Sequence, residues 1–193
     1  MRHQYEYLLG VDEAGRGALC GPVVAAAVAL PRELVIHGLD DSKRLSPRQR
    51  QDLAGQIREF AVAWGVGFAS AAEVEEVNVL QATFRAMRRA IDFAVAADFK
   101  PELVLVDGPH GIPGLEWPQK PLIKGDARSN NIAAASILAK TARDEYMIEL
   151  HAALPHYGFD RHKGYGTVLH REALASHGMS IHHRPSFCRP KIK

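Results

Sequence analysis

Apolar residues along the 193-residue chain gather in short runs, separated by stretches with helical spacing. Tyr7–Val11 reads as a short strand, and Val23–Leu30, held between Pro22 and Pro31, as a second strand buried on both faces. Gly15, Gly17 and Gly21 make a tight link between them. Ser46-Pro47 marks a helix start, with Ser as cap and Pro in the first turn; that helix is predicted to reach Phe60, with Val62–Ser70 returning as a strand. From about Asn78 to Ala97, Leu80, Phe84, Met87, Ile91 and Val95 form one helical stripe, while Gln81, Arg85, Arg88 and Asp92 face away. Glu102–Asp107 is a buried strand ending in a carboxylate. A Pro/Gly-rich loop leads to a short strand at Leu122–Lys124, and a long helix spans Asn130–Leu150.

Strands interleaved with helices in this order predict an α/β fold, a mixed sheet with helices packed on it. The length suits one domain with a small C-terminal appendage, and the break in composition near Pro155 divides a 1–154 core from a 155–193 appendage. A net charge of +2 gives no bulk argument for a polyanionic partner, but the distribution does: residues 155–193 carry seven Lys/Arg against two acids, and six of the ten histidines. Cys20 and Cys188 form no C-x-x-C pair, which fits a reducing compartment. The first residues lack a signal-peptide core, and no apolar run nears the roughly 20 residues of a membrane span. The expectation is a cytoplasmic protein.

Four acids carry the chemistry. Asp12 and Glu13 end the first strand, Asp107 ends a later one, and Asp126 follows the next across Gly125. Carboxylates at the ends of neighbouring strands can converge at the sheet edge where α/β folds place ligands. Such a cluster repels itself unless hard cations neutralise it, and its oxygen donors suit Mg²⁺ or Mn²⁺. Consecutive strand residues point to opposite faces, so Asp12 and Glu13 can share a site only where the strand ends or turns, as the glycines after them allow. A dinucleotide-binding loop is the competing reading of Gly15-x-Gly17. It fails because Gly21 is one position late, a strand follows rather than a helix, and two acids precede the turn.

The same residues resemble ribonuclease HII. The resemblance lies in DEAGRGALCGPV (Asp12–Val23), DDSKRLSP (Asp40–Pro47), NVLQATFRAM (Asn78–Met87), LVDG (Leu105–Gly108), KGDARSNNIAAASILAK (Lys124–Lys140), YGFDRHKGYGT (Tyr157–Thr167) and HHRPSF (His182–Phe187). It implies a ribonuclease H-like fold, a five-stranded mixed sheet flanked by helices, with a small helical C-terminal appendage. It implies an endoribonuclease that acts on RNA/DNA hybrids and on single ribonucleotides in duplex DNA, leaving 5′-phosphate and 3′-hydroxyl ends. Asp12, Glu13, Asp107 and Asp126 are then the catalytic, metal-binding acids for two Mg²⁺ or Mn²⁺ ions.

The resemblance also implies that Gly15, Arg16 and Gly17 read the 2′-hydroxyl, the group that separates RNA from DNA, and that Tyr165 packs on a sugar nearby. Ser42, Lys43, Lys163 and Arg184 are expected at phosphates. The histidines are expected to be exposed or satisfied residues of the basic tail, with no base required from them. A monomer without membrane contact is expected. Pro109 after LVDG and the Cys188-Arg189 pair depart from the family pattern and put loop shape in question. The alternatives are a ribonuclease HIII-like enzyme, whose Gly-Arg-Gly segment differs, and a nucleic-acid-binding module without catalysis. A pure binder of polyanions gains nothing from four acids.

Overall fold

A computed structural model describes residues 7–39, 45–96 and 99–188, so the expected contacts Ser42 and Lys43 lie outside the described residues. Five strands, β1 (Leu8–Ala14), β2 (Val23–Ala29), β3 (Ala63–Ala69), β4 (Leu103–Asp107) and β5 (Gln119–Leu122), form one sheet in the order β3-β2-β1-β4-β5. The β1–β2 and β2–β3 pairs are antiparallel, while β1–β4 and β4–β5 are parallel. The sheet is therefore mixed. β2, with the sequence VVAAAVA, is buried along its whole length, as its unbroken apolar run requires of a strand covered on both faces.

One face packs on α3 (Val79–Val95), whose Phe84, Met87 and Ile91 meet Leu9, Val11, Val104 and Val106. The other face is covered by α1 (Pro47–Phe60) and α4 (Asn130–Ala153): Leu53, Ile57, Ile137 and Leu138 pack on Ala26 and Val28. The start of α4 is pinned to the sheet by Asn131, which donates to Leu8 O at 2.8 Å and accepts from Leu30 N at 3.2 Å. At Gly10 a Cβ would stand 2.3 Å from the backbone of Asn131 and Ile132, so a glycine at this point of β1 lets α4 approach beside Asp12.

Three elements differ from the sequence reading. β1 continues to Ala14 rather than stopping at Val11, because its ladder with β2 runs on through Ala14↔Val24. β5 lies at Gln119–Leu122, upstream of the expected 122–124, since pairing with β4 sets its register and Lys124 has a positive φ of 55°. A short helix, α2 (Ala71–Val77), precedes α3; it is closed by a reciprocal capping box between Ser70 and Glu73, a signature present in the sequence but unused. No helix among the described residues is long and apolar enough to cross a membrane.

Past Pro155 come α5 (Phe159–His162), α6 (Val168–His177) and α7 (Pro185–Cys188). This segment lies against the loop between β1 and β2. Leu19 N donates to Gly164 O at 2.9 Å, Gly21 N to His182 O at 2.9 Å and Arg184 N to Leu19 O at 2.8 Å. The glycine loop thus has the C-terminal segment as one of its walls.

Candidate active site

The parallel ladder between β1 and β4 runs to Val11↔Val106, so the next residues, Asp12 and Asp107, stand side by side on adjacent strands just beyond it. Leu103 and Leu105 pack with Ile132 of α4, while Leu9, Val11, Val104 and Val106 pack toward α3. Alternation along each strand therefore sends Asp12 and Asp107 to the same face, that of α4. Asp12 is only 7 % exposed. Burial, then the charges of Glu13 and Asp107, push its carboxyl well above the usual range, against bonds from the Glu13 amide and the Ser136 hydroxyl.

Glu13 is held differently from the sequence reading. β1 does not turn there: Glu13 still pairs with Ala25, whose side chain belongs to the α3 face. Its longer side chain nevertheless lines the cleft beside Ser136 and Lys140 of α4. The Oε1 atom accepts from Arg16 Nη1 at 3.1 Å. Burial first and Asp107 later raise its carboxyl, and Arg16 opposes them. Asp126 sits in a 3₁₀ turn, Gly125–Ala127, after β5. The preceding Gly125 N donates to Asp107 Oδ1 at 2.7 Å, which sets Asp126 next to the trio along the chain.

The expectation of four converged carboxylates needs correcting in one respect. Among the described residues, no three Asp, Glu, His or Cys side chains stand close enough to hold a metal ion between them. Backbone amides occupy carboxylate oxygens instead, Gly125 N on Asp107 and Ala127 N on Asp126 (3.0 Å), and like charges repel one another. The donor chemistry still fits a hard divalent cation. Asp12 is buried among like charges, and Arg16 offsets part of that charge through its ion pair with Glu13.

Beside the acids opens a cleft of about 450 Å³ lined by Glu13, Gly15, Arg16, Gly17, Arg50, Ser136, Lys140 and Tyr165. Gly15, Arg16, Gly17 and Tyr165 were expected there. Tyr165 is 37 % exposed. Arg50, Ser136 and Lys140 were missed. Arg50 and Lys140 share one counter-ion, Asp144, with Arg50 Nη1 at 3.3 Å, so the cleft keeps more cation than anion on that wall. Lys140 and Asp144 are four apart on one helix, a pairing visible in sequence, but nothing local says that α4 turns this face to the cleft.

Arg184 is a second correction. Expected at a phosphate, it is 0 % exposed. Its guanidinium donates to Gly15 O (2.9 Å), Arg16 O (3.1 Å) and Gly21 O (2.6 and 3.0 Å). Burial, then Arg143, bring its pKa down to about 10. Lys163, the other described phosphate candidate, is half-buried at the end of α5 with φ 49°, and its ammonium donates to Asp160 O.

Three of the appendage histidines are buried and satisfied rather than solvated. His162 bonds Tyr157 O at 2.8 Å and accepts from Gly164 N at 3.2 Å, while His170 and His183 meet at 3.0 Å. Cys20 is buried and free, its thiol pushed up to about 12 mainly by burial, so it is a packing residue and not a thiolate.

Paired carboxylates at the edge of a mixed α/β sheet, beside a cleft with excess cation, define a phosphodiester-handling hydrolase of the nuclease class. The family model for ribonuclease HII matches residues 9–190. A ribonuclease HII of Dechloromonas aromatica is 54 % identical over 178 residues, 92 % of this chain and 89 % of that protein. Among solved structures, ribonuclease H2 of Pyrococcus horikoshii OT3 superposes with a TM-score of 0.74 at 25 % identity, over 95 % of both chains. The ribonuclease HII of Archaeoglobus fulgidus, solved in complex with PCNA, gives 0.73 at 26 % identity over 96 % of this chain and 98 % of that one. The chain belongs to the ribonuclease HII family and is a ribonuclease, a nuclease of the hydrolase class.

Proposed function

We propose that this ribonuclease cuts the RNA strand of RNA/DNA hybrids and cleaves at single ribonucleotides within duplex DNA, leaving 5′-phosphate and 3′-hydroxyl ends. The observation that carries the reading is the placement of Asp12 and Asp107 side by side on adjacent parallel strands, with Glu13, next to Asp12 in the chain, lining a cleft shared with the Gly15–Gly17 loop and Tyr165. Asp12, Glu13, Asp107 and Asp126 are the residues that would hold Mg²⁺ or Mn²⁺. Two such ions, when bound with substrate, supply the Lewis acidity for phosphodiester hydrolysis.

The chain's own residues do the rest. Gly15 and Gly17 leave the loop backbone open to a ribose, and Arg16 keeps Glu13 oriented through its ion pair. Tyr165 offers its exposed ring to the sugar beside the scissile bond. Lys163, with Ser42 and Lys43, binds phosphate; Arg184 serves the substrate through the loop carbonyls that it holds. Residues 155–193 act with the 1–154 core as one catalytic unit, supported by the bonds from the 15–21 loop to Gly164 and His182. The enzyme works as a cytoplasmic monomer.

The deciding assay uses a DNA duplex with one ribonucleotide, with and without Mg²⁺, and the cut mapped to the nucleotide. Cleavage 5′ to the ribonucleotide that disappears on chelation is expected. Metal-independent cleavage, or cleavage of all-DNA duplex at the same rate, refutes the reading.

A further inference from the structure

Beneath the cleft lies a group that no expectation included. Arg143, on α4, is 0 % exposed and, among the described residues, is in no salt bridge. Its Nε donates to Pro22 O at 3.1 Å and its Nη2 to Cys20 O at 3.2 Å, while Nη1 is buried with no hydrogen-bond partner among the described residues. Burying a guanidinium without a carboxylate costs several kcal/mol on general grounds, and an unmet buried N–H adds about 1–3 kcal/mol. Departures of this kind from stable packing concentrate at functional sites.

Two contacts say what the group does. The Arg143 guanidinium carbon lies 5.1 Å from the centroid of the Tyr165 ring. On the loop side, a Cβ at Gly15 would stand 2.0 Å from Arg143 Nε and 2.5 Å from its Cδ, so the side chain fills the space directly under Gly15. One planar group therefore touches both walls of the cleft. A guanidinium can bond two carbonyls in its plane and present a face to an aromatic ring, whereas an ammonium has no such face.

We propose that Arg143 is a positioning residue for ribonucleotide recognition: it sets the spacing between the Tyr165 ring and the Gly15–Gly17 backbone by touching the one and bonding the strand-ward end of the loop that carries the other. Arg184 holds Gly15, Arg16 and Gly21 from the same side. Its guanidinium face turns instead to the Phe187 ring, 5.5 Å away, and it feels Tyr165 through charge, so the packed link between the two walls falls to Arg143. The proposal rests on the reading of Tyr165 and the glycine loop as the sugar-binding walls.

The test is a double-mutant cycle of Arg143→Lys and Tyr165→Ala. Single-turnover cleavage of a DNA duplex with one ribonucleotide is measured in Mg²⁺, and affinity for the same duplex separately in Ca²⁺. A displacement of about 1 Å at a reacting centre can cost on the order of a hundredfold, so Arg143→Lys is expected to lower the rate by about tenfold or more. Affinity should stay within about threefold, because phosphate contacts lie elsewhere. In the Tyr165→Ala background the same change should cost about twofold or less, the non-additivity of residues in one network.

Equal fold-losses in both backgrounds, or a loss of affinity that tracks the rate, overturn the proposal and leave Arg143 as a packing residue, while the reading of Tyr165 stands. If Tyr165→Ala by itself leaves the rate unchanged, the sugar-wall reading fails and Arg143 has nothing to position. Arg143→Gln, neutral and retaining one amide donor, serves as the second variant. If neither Arg143 variant shows a cooperative thermal transition, the residue belongs to the folding core and the proposal is refuted.

Discussion

The Nε2 atoms of His170 and His183 lie 3.0 Å apart inside the C-terminal segment. His170 Nδ1 faces Tyr165 O at 3.0 Å and must carry its proton, so Nε2 of that ring accepts. His183 therefore donates through Nε2 and accepts at Nδ1 from Ser180 N at 3.0 Å. Both rings are neutral, and a second proton on either breaks a bond that is made in the fold.

Burial, then the neighbouring His170, bring the pKa of His183 from 6.5 down to about 4. The unfolded chain thus binds more protons between those values, and stability falls as pH drops from 6.5 toward 4. The contribution is on the order of 1–3 kcal/mol. His162 and His170 are lowered by burial as well and act in the same direction. Thermal unfolding of the wild type and His183→Gln at pH 7.5 and 5 isolates the residue: the variant should lose less stability between the two. A parallel decline in both proteins contradicts the assignment.

Asp12→Asn should abolish cleavage and raise metal-free stability. Burial and two neighbouring acids raise the Asp12 carboxyl, so its ionised form is a net strain on the fold above that raised pKa. Asparagine keeps an acceptor for Glu13 N, which now donates at 2.7 Å. Relief of about 1 kcal/mol corresponds to roughly 2–4 °C in a domain of this size. Activity should fall on the order of a hundredfold or more, the scale for loss of a preorganised charge. A lower Tm in chelator, or turnover near wild type in Mg²⁺, refutes this.

Gly15 and Gly17 separate packing from substrate approach. Gly15 has φ 92° and no room for a Cβ, whereas at Gly17 a Cβ meets nothing within 4 Å. Gly15→Ala should therefore lower the Tm clearly, by strain and by collision with Arg143. Gly17→Ala should leave the Tm within about 2 °C, as surface substitutions do, yet slow cleavage at a lone ribonucleotide if the backbone there meets the sugar. Full activity of a stable Gly17→Ala protein would falsify the role of that backbone.

Glu73 links the caps to the outer surface. Arg89 donates to it at 2.7 and 3.1 Å, and Ser70 N at 2.9 Å. Chiefly through Arg89, its pKa is lowered from 4.5 to about 2. Its contribution is thus complete above pH 4.5 and is lost as pH falls toward 2. Glu73→Gln retains the capping acceptor but not the charge, and should cost about 1 kcal/mol at pH 7 after screening at this partly exposed site. Urea unfolding at pH 7 and pH 3 checks it, the gap between the two proteins narrowing at the lower pH.

Much of the molecule was legible in the chain. The unbroken apolar run of β2 demands cover on both faces, and the stripe Phe84–Met87–Ile91 supplies one cover. Acids that close apolar runs mark the sheet edge wherever those runs pair. These features are local, so period and composition determine them. Only the tertiary structure decided that β4 lies beside β1, which brings Asp107 next to Asp12 although 95 residues separate them. Chain connectivity does not dictate strand order, and the same acids on distant strands would form no site. Burial of Arg143 and Arg184 was equally illegible. Their acceptors are carbonyls 121 to 169 residues away, and a carbonyl carries no mark in sequence. A basic side chain reads as solvent-exposed or phosphate-bound until the fold closes a loop of backbone acceptors around it, because only that closure can replace the water its charge has lost.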